Sequence, residues 1–378
     1  MTVTETDAQH NIQERLVALT RDMILIPSNT AHPDERGRCY EFIKNHLEAL
    51  ENIEVREFEN KGIPSLVAAP PGCSKPQILM CGHLDVITHP DVTSYRSQIQ
   101  DGRIYGPGAG DMKGALAVLL EIFRNIHTRL PNAPLGIAVT ADEETGGESG
   151  VGFLVREKGL RCGSAMIPDG GSLNDITVEE KGILHLSLEC RGHSAHAARP
   201  WLGENPIEKM MGRLHALKTF FGELKKSRDH WYPTCAVTVI GTENKTANRI
   251  PSNATAVLDV RFPPPYTLNK MLNDIKQICG PDVHAEVIIG AEPTKLSPDR
   301  DYGTVTKQLT GKGVRLVRDD GGSDARFLAA EGVPVMMSRP LVGNLHSEDE
   351  WIDIDSMVML YRIYEKYLLL KFGGQGAA

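Results

Sequence analysis

Apolar residues recur at helical spacing over residues 10–26 and again over 38–51, where Tyr40, Phe42, Ile43, Leu47 and Leu50 share one face. Each stretch predicts an amphipathic helix. Four short apolar runs closed by polar residues then appear: PSLVAA, QILMCGHLD, LGIAVTADEE and SAMIPD. They predict buried strands. MKGALAVLLEIFRNI and GESGVGFLVREKG, which lie between them, predict helices. Strands alternating with helices imply an α/β sheet covered on both faces.

The pattern changes near residue 181. ILHLSLECRG, CAVTVIGT and ATAVLDVRF alternate apolar and polar residues, as half-exposed antiparallel strands do. With the helical stretches NPIEKMMGRLHALKTFFGELKK and LNKMLNDIKQI and the final strand HAEVIIG, the order is β-α-β-β-α-β, the ferredoxin-like pattern. VRLVRDD, PVMMSRP and the helical stretch DSMVMLYRIYEKYLLLKF then resume the first domain. The expected architecture is α/β: a doubly wound, mixed-sheet catalytic domain (residues 1–180 and 292–378) interrupted by a ferredoxin-like α+β lid (residues 181–291).

Composition narrows the function classes. The chain has 378 residues, enough for two or three domains, and is 41% hydrophobic and 24% charged. Disorder, a collagen-like chain and a coiled coil are excluded. The formal charge of −8 gives no general attraction to nucleic acid or an anionic membrane, though a local basic pocket remains possible. Seven scattered cysteines without a CxxC pair suggest neither a disulfide framework nor a thiolate zinc site. No apolar run approaches a membrane span of about 20 residues, and the polar start MTVTETDAQHNIQERL does not read as a secretory signal. A soluble, reduced, cytoplasmic protein is expected.

Candidate chemistry clusters at predicted strand ends. In Gly82-His83-Leu84-Asp85, His83 and Asp85 stand two residues apart and should point to one side, as a metal-binding imidazole and its carboxylate organiser do. An ordinary polar strand end reads the same way in isolation. Asp111, in the glycine-rich stretch GPGAGDMKG, is by itself best read as a helix N-cap. Asp142-Glu143-Glu144 is by itself a solvated acidic turn, since burying such a run without cations is costly. Asp169 and His346 also follow predicted strands. The set weighs more than its members, because open α/β sheets place their sites at the carboxyl ends of strands. Oxygen and imidazole ligands without thiolate suit zinc, cobalt or manganese. Three ligating carboxylates and a hydroxide would balance two divalent cations.

GHLD, GxGxxDMKG, DEETGG, Asp169 and the late histidine, in this order, resemble the co-catalytic zinc aminohydrolase and metallopeptidase family of acetylornithine deacetylase, succinyl-diaminopimelate desuccinylase, aminoacylase and glutamate carboxypeptidase. The resemblance runs from about residue 10 to residue 370. It implies two divalent metal ions, zinc with cobalt or manganese as alternatives. It implies that Asp111 bridges them, that His83 and Asp169 complete one site, and that Glu144 and His346 complete the other. Asp85 would orient His83, and Glu143 would be the general base for a metal-bridged hydroxide. Within the lid, His196 would stabilise the oxyanion, reached across a dimer interface, with His193 the competing choice in the same loop. Asn248 and Arg261 would bind substrate carboxylate. Without the resemblance, His196 reads as a surface histidine and Arg261 as a strand-end salt bridge.

The stretch Gly321-Gly322-Ser323-Asp324-Ala325-Arg326-Phe327 is similar to one in the desuccinylase and deacetylase branch, where Ser323 and Arg326 would hold a substrate carboxylate. A turn followed by a capped helix is the plain alternative, and for Asp324 the two readings balance. TSYRSQ lacks the tryptophan and Pro-Phe of many relatives, and Ala115 stands where glycine is frequent. The fifth ligand is aspartate rather than glutamate. The implied function is metal-dependent hydrolysis of the amide bond of an N-acyl amino acid by a cytoplasmic homodimer paired through its lid. A dipeptidase, aminopeptidase or carboxypeptidase of the same family is the alternative, and a non-catalytic metal-binding relative the rival from outside enzymology.

Overall fold

The computed structural model describes residues 5–89 and 91–373. The chain divides into two compact units. One runs to Val178 and includes Lys295–Arg318 and the chain from Ser323 onward; the other comprises Glu179–Thr294 and Asp319–Gly322.

The first unit is built on strands β1 (Glu54–Asn60), β2 (Ile63–Ala69), β3 (Ile78–His83), β4 (Leu135–Thr140) and β5 (Ser164–Met166). The second unit contributes β6 (Gly182–Arg191), β7 (Thr234–Gly241), β8 (Asn253–Phe262) and β9 (Val283–Ala291), and β10 (Val335–Met336) returns to the first. The main sheet has the order β1-β2-β4-β3-β5-β10. Strands β4, β3, β5 and β10 are parallel; β1 and β2 form an antiparallel hairpin at one edge.

Alternation along the buried strands sorts their side chains into two layers. Ile78 and Met80 face one side, packing with helices α1 (Glu5–Ile24), α2 (Pro33–Glu48), α3 (Gly114–Arg129), α7 (Arg300–Thr310) and α9 (Ile354–Phe372). Leu79 and Cys81 face the other, packing with α4 (Val151–Arg156) and α8 (Ala325–Ala330). The first ten residues of α3, Gly114 to Phe123, are all buried, which explains the almost continuous apolar sequence there. Asp353 caps α9 by accepting from Ser356 N, so this long helix starts where its core face begins. The structure is thus mixed α/β with helices on both faces, as the alternation of runs predicts.

In the second unit the sheet order is β7-β8-β6-β9, antiparallel throughout. With helices α5 (Pro206–Glu223) and α6 (Leu268–Cys279), this is the β-α-β-β-α-β arrangement. Leu184, Leu186 and Leu188 of β6 and Ala256, Leu258 and Val260 of β8 pack with Met210, Leu217, Met271 and Ile275 of the helices. Edge strand β7 leaves Val237, Val239 and Ile240 exposed.

Two features add to the sequence reading. The strand Arg315–Asp319, from VRLVRDD, lies outside the main sheet, and Arg315 pairs with Asp175 at 2.6 Å. A four-stranded antiparallel sheet, Val342–Gly343, Trp351–Asp353, Arg103–Tyr105 and Gln98–Gln100, is built from pieces too short to show a period. This small sheet matters for the site. It pairs Trp351 with Tyr105 and so sets the loop holding His346 beside the glycine-rich loop holding Asp111. A Cβ on Gly110 would lie 2.8 Å from Leu345 Cδ2 and 3.0 Å from Val342 Cβ, so any side chain there would force these neighbours to shift.

Gly110→Val should therefore overpack this junction, at a cost of roughly 1–3 kcal/mol. The expected outcome is a lower urea midpoint; an unchanged midpoint would mean the two loops separate freely.

Candidate active site

His83 is the last residue of β3, the DEE turn follows β4, and Asp169 follows β5. The three sites leave the carboxyl edge of parallel strands, where the backbone fans out and frees side chains to converge. Their ligand atoms form two groups. Atoms of His83, Glu143 and Asp169 lie within 4.8 Å of one another, as do atoms of Asp111, Glu144 and His346. All of these residues belong to the first unit.

Asp111 joins the groups. Its Oδ1 lies 3.2 Å from His83 Nε2, and its Oδ2 lies 3.4 Å from His346 Nε2, which is also 3.4 Å from Glu144 Oε2. His83 Nδ1 lies 3.0 Å from the carbonyl oxygen of Asp85. Donation from Nδ1 to that carbonyl leaves the Nε2 lone pair facing a carboxylate oxygen. Two lone pairs 3.2 Å apart repel unless a proton or a cation lies between them.

Asp111 is not the N-cap of α3. Its φ of −129° and ψ of 93° interrupt the backbone, and the helix begins at Gly114. The cause is Glu350, a buried carboxylate that accepts from the backbone N–H groups of Gly110 (2.6 Å), Asp111 (2.8 Å) and Gly108 (3.2 Å). This draws the glycine-rich loop around one side chain and turns Asp111 toward the histidines. Below the loop, the buried Lys113 ammonium donates to the carbonyls of Met23 and Ile26. Asp85 does more than address His83. Its carboxylate accepts from the backbone N–H groups of Glu143 (3.2 Å) and Glu144 (3.1 Å), so it fixes the acidic turn as well. His346 has φ 63°, a left-handed conformation in which histidine is uncommon, and its side chain is 52% exposed.

The electrostatics follow from this crowding. Burial, with neighbouring carboxylates, pushes the Glu143 and Glu144 carboxyls well above the usual range. Burial alone would raise Asp111 too, but hydrogen bonds from His346 and His83 hold it well below. The bond to Asp111 pushes His346 up to about 9. A cage of carboxylates and imidazoles, two of whose acids resist ionisation for want of positive charge, fits a pair of divalent cations. His83, Asp169, Asp111, Glu144 and His346 supply nitrogen and oxygen donors in two groups sharing Asp111, and Glu143 lies within the first.

Around the cage, Ser323 Oγ accepts from Ala325 N at 3.2 Å, and Arg326 donates to the carbonyls of Ser323 (3.2 Å) and Gly146. Arg326 thus ties α8 to the turn that carries Glu143. Asp324 occupies the N-cap position of α8 but makes no cap hydrogen bond; it is buried beside Thr140 instead. In the second unit, His196 pairs with Arg249 across a short two-stranded ladder, and its Nδ1 accepts from Ala198 N. Asn248 is exposed, and its carbonyl accepts from Ala197 N. Arg261 forks onto Asp259 at 2.7 and 3.1 Å.

Glu350 and Arg339 escaped the sequence reading. Arg339 follows β10 and approaches Asp169 at 3.9 Å. Glu350 sits four residues after His346 in HSEDEW and looks like one more surface acid. A charged residue two positions after the apolar run PVMM is the one signal that could have marked Arg339.

The profile of Peptidase family M20/M25/M40 matches residues 79–370. The succinyl-diaminopimelate desuccinylase of Anaplasma marginale is 28% identical over 377 residues, covering 93% of this chain and 96% of that protein. Among solved structures, a dipeptidase of Saccharomyces cerevisiae aligns with a TM-score of 0.78 at 15% identity, covering 100% of both chains. A dinuclear metal-binding peptidase of Bacillus subtilis aligns with a TM-score of 0.64 at 12% identity, covering 96% of this chain and 99% of that one. A profile match across most of the chain, over a fold and a two-part ligand cage that agree with it, places the protein in peptidase family M20/M25/M40.

Proposed function

We propose that this hydrolase cleaves the amide bond of an N-acyl amino acid, with N-succinyl-diaminopimelate first among candidates because the desuccinylase relative matches over nearly the whole chain. The observation that carries the reading is Asp111, whose two oxygens each face a different imidazole nitrogen. One carboxylate shared between two ligand groups is what a co-catalytic pair of cations requires.

His83 and Asp169 would hold one cation, Glu144 and His346 the other, and Asp111 both. Zinc is the first choice, with cobalt or manganese as alternatives. When bound, such a pair polarises the scissile carbonyl and makes a water easier to deprotonate. Glu143 takes the proton from the attacking water and returns it to the leaving amine. Its buried setting suits a proton carrier, because it already raises the affinity of the carboxyl for a proton. Asp85 positions Glu143 and Glu144 through their backbone N–H groups.

The second unit acts in this proposal as a lid over the substrate. His196 would stabilise the developing oxyanion, and Asn248 and Arg261 would contact substrate carboxylate; Arg261 keeps N–H groups beyond those forked onto Asp259. The exposed apolar edge of β7, with Val237, Val239 and Ile240, supports a homodimer paired through this unit. Seven unpaired thiols accord with a reducing, cytoplasmic setting. Among the described residues no helix is long and apolar enough to cross a membrane.

The reading is tested by amine release from N-succinyl-diaminopimelate, N-acetylornithine, other N-acetyl amino acids and simple dipeptides. Cleavage of dipeptides alone would transfer the assignment to the peptidase alternative. Glu143→Gln should abolish turnover and leave metal content intact; loss of metal would make Glu143 a ligand. Chelation should stop turnover and also lower the melting temperature, because it restores repulsion within the cage, and added zinc should reverse both. Glu350→Ala should weaken metal binding by roughly 10–100-fold, the usual effect of losing a group that orients ligands, as read in a competition titration with a chromophoric chelator.

A further inference from the structure

One cation near the cage has no assigned work. Arg339 leaves the carboxyl end of β10 in the segment Ser338-Arg339-Pro340, on the same sheet edge as His83 and Asp169. Its side chain is 17% exposed. Among the described residues its guanidinium makes no hydrogen bond, and Nε is buried without a partner. Its ion pair is with Asp169, from Nη1 to Oδ1 at 3.9 Å, beyond hydrogen-bond distance.

A guanidinium carries five N–H donors in a rigid fork. Burying its Nε without an acceptor is costly. Asp169 is a poor answer, since it also faces His83 and Glu143 in a ligand group. Arg326, the other site arginine of the first unit, has donors engaged by the carbonyls of Gly146 and Ser323. Arg339 is therefore the less committed cation beside the cage, and what it lacks is a planar anion.

We propose that Arg339 is a specificity-determining residue that reads a substrate carboxylate from the catalytic unit. This rests on the N-acyl amino acid reading above and deepens it. Two carboxylates flank the reacting amide, the α-carboxylate on the acylated nitrogen's carbon and the terminal carboxylate of a dicarboxylic acyl group. Either would present two oxygens to the fork, and neither requires a change in the reacting bond. The function is recognition, so it appears in KM and in discrimination between substrates.

The experiment compares wild-type, R339M and R339K holoenzymes. N-Succinyl substrate is set against its N-butyryl counterpart, and each against the analogue whose α-carboxylate is an amide. A charge-assisted fork is worth roughly a 10–100-fold change in binding. R339M should raise KM by about that factor for substrates bearing the carboxylate that is read, and change kcat by less than about threefold. The wild type's preference over the one neutral analogue should vanish, which names the source. R339K, which keeps the charge and loses the fork, should fall between; it also provides the comparison if R339M does not fold. Unchanged KM ratios overturn the proposal, as does a collapse of kcat with metal loss, which would make Arg339 a support for Asp169. Calorimetric titration with succinate separates this inference from its parent. Binding that weakens at least about tenfold in R339M sustains Arg339 even if no panel substrate turns over, whereas no succinate binding, or equal binding, together with unchanged KM ratios, overturns it while leaving the hydrolase reading intact.

Discussion

Negative charge held out of water is the constraint on which the first unit depends. Asp85, Asp111, Asp142, Glu143, Glu144 and Asp169 converge at the ends of three neighbouring strands, and Asp85 and Asp142 are buried almost completely. Carboxylates brought together in a low-dielectric setting repel, and each has lost hydration. The fold must supply compensating dipoles from the protein and leave a place for cations. Both requirements are visible in how the loops are held.

The compensation comes mostly from backbone N–H groups. Asp85 takes two from the acidic turn, Asp142 takes one from Ser149, and Glu350 takes three from the glycine-rich loop. Each bond stabilises a charge and also fixes the loop that donates. The same interactions that make burial tolerable therefore aim Asp111, Glu143 and Glu144. Burial pushes the Glu350 carboxyl up to about 7. Near neutral pH its charge is partly lost in this setting, which links the loop's order to the charge state of the site it carries.

Much of this was legible in the residues, and the reason is periodicity. Ile78, Leu79, Met80 and Cys81 form an unbroken apolar run because both faces of β3 are covered, and Leu184, Leu186 and Leu188 alternate with polar residues because one face of β6 is not. The motifs of His83, Glu143, Glu144 and Asp169 were legible because each follows a buried strand of the main sheet. The small sheet through Trp351 and Tyr105 was not, because strands of two or three residues have no period. The hairpin strand EVREFEN gives a weak signal, since its charged side chains face solvent at the sheet edge. Taken by itself, Asp111 resembles a helix cap for a physical reason. Local preference favours an N-cap aspartate before a helix, but the contact with Glu350 lies 239 residues away in sequence.

That contact explains a division between what sequence patterns reveal and what they conceal. His83, Glu143, Glu144, Asp169 and His346 sit in short motifs that follow the strand or turn placing them, whereas Asp111 sits in a motif but takes its orientation from Glu350. Glu350 and Arg339 act across the site, on partners brought near by the sheet, so nothing local marks them. Both are charged groups in surroundings that would normally exclude charge, and each is intelligible once its partner is named. Glu350 has its partner in three backbone N–H groups. Arg339 has only a distant carboxylate already facing a histidine, and a half-buried arginine whose Nε lacks a partner carries a cost that an anion at its fork would offset.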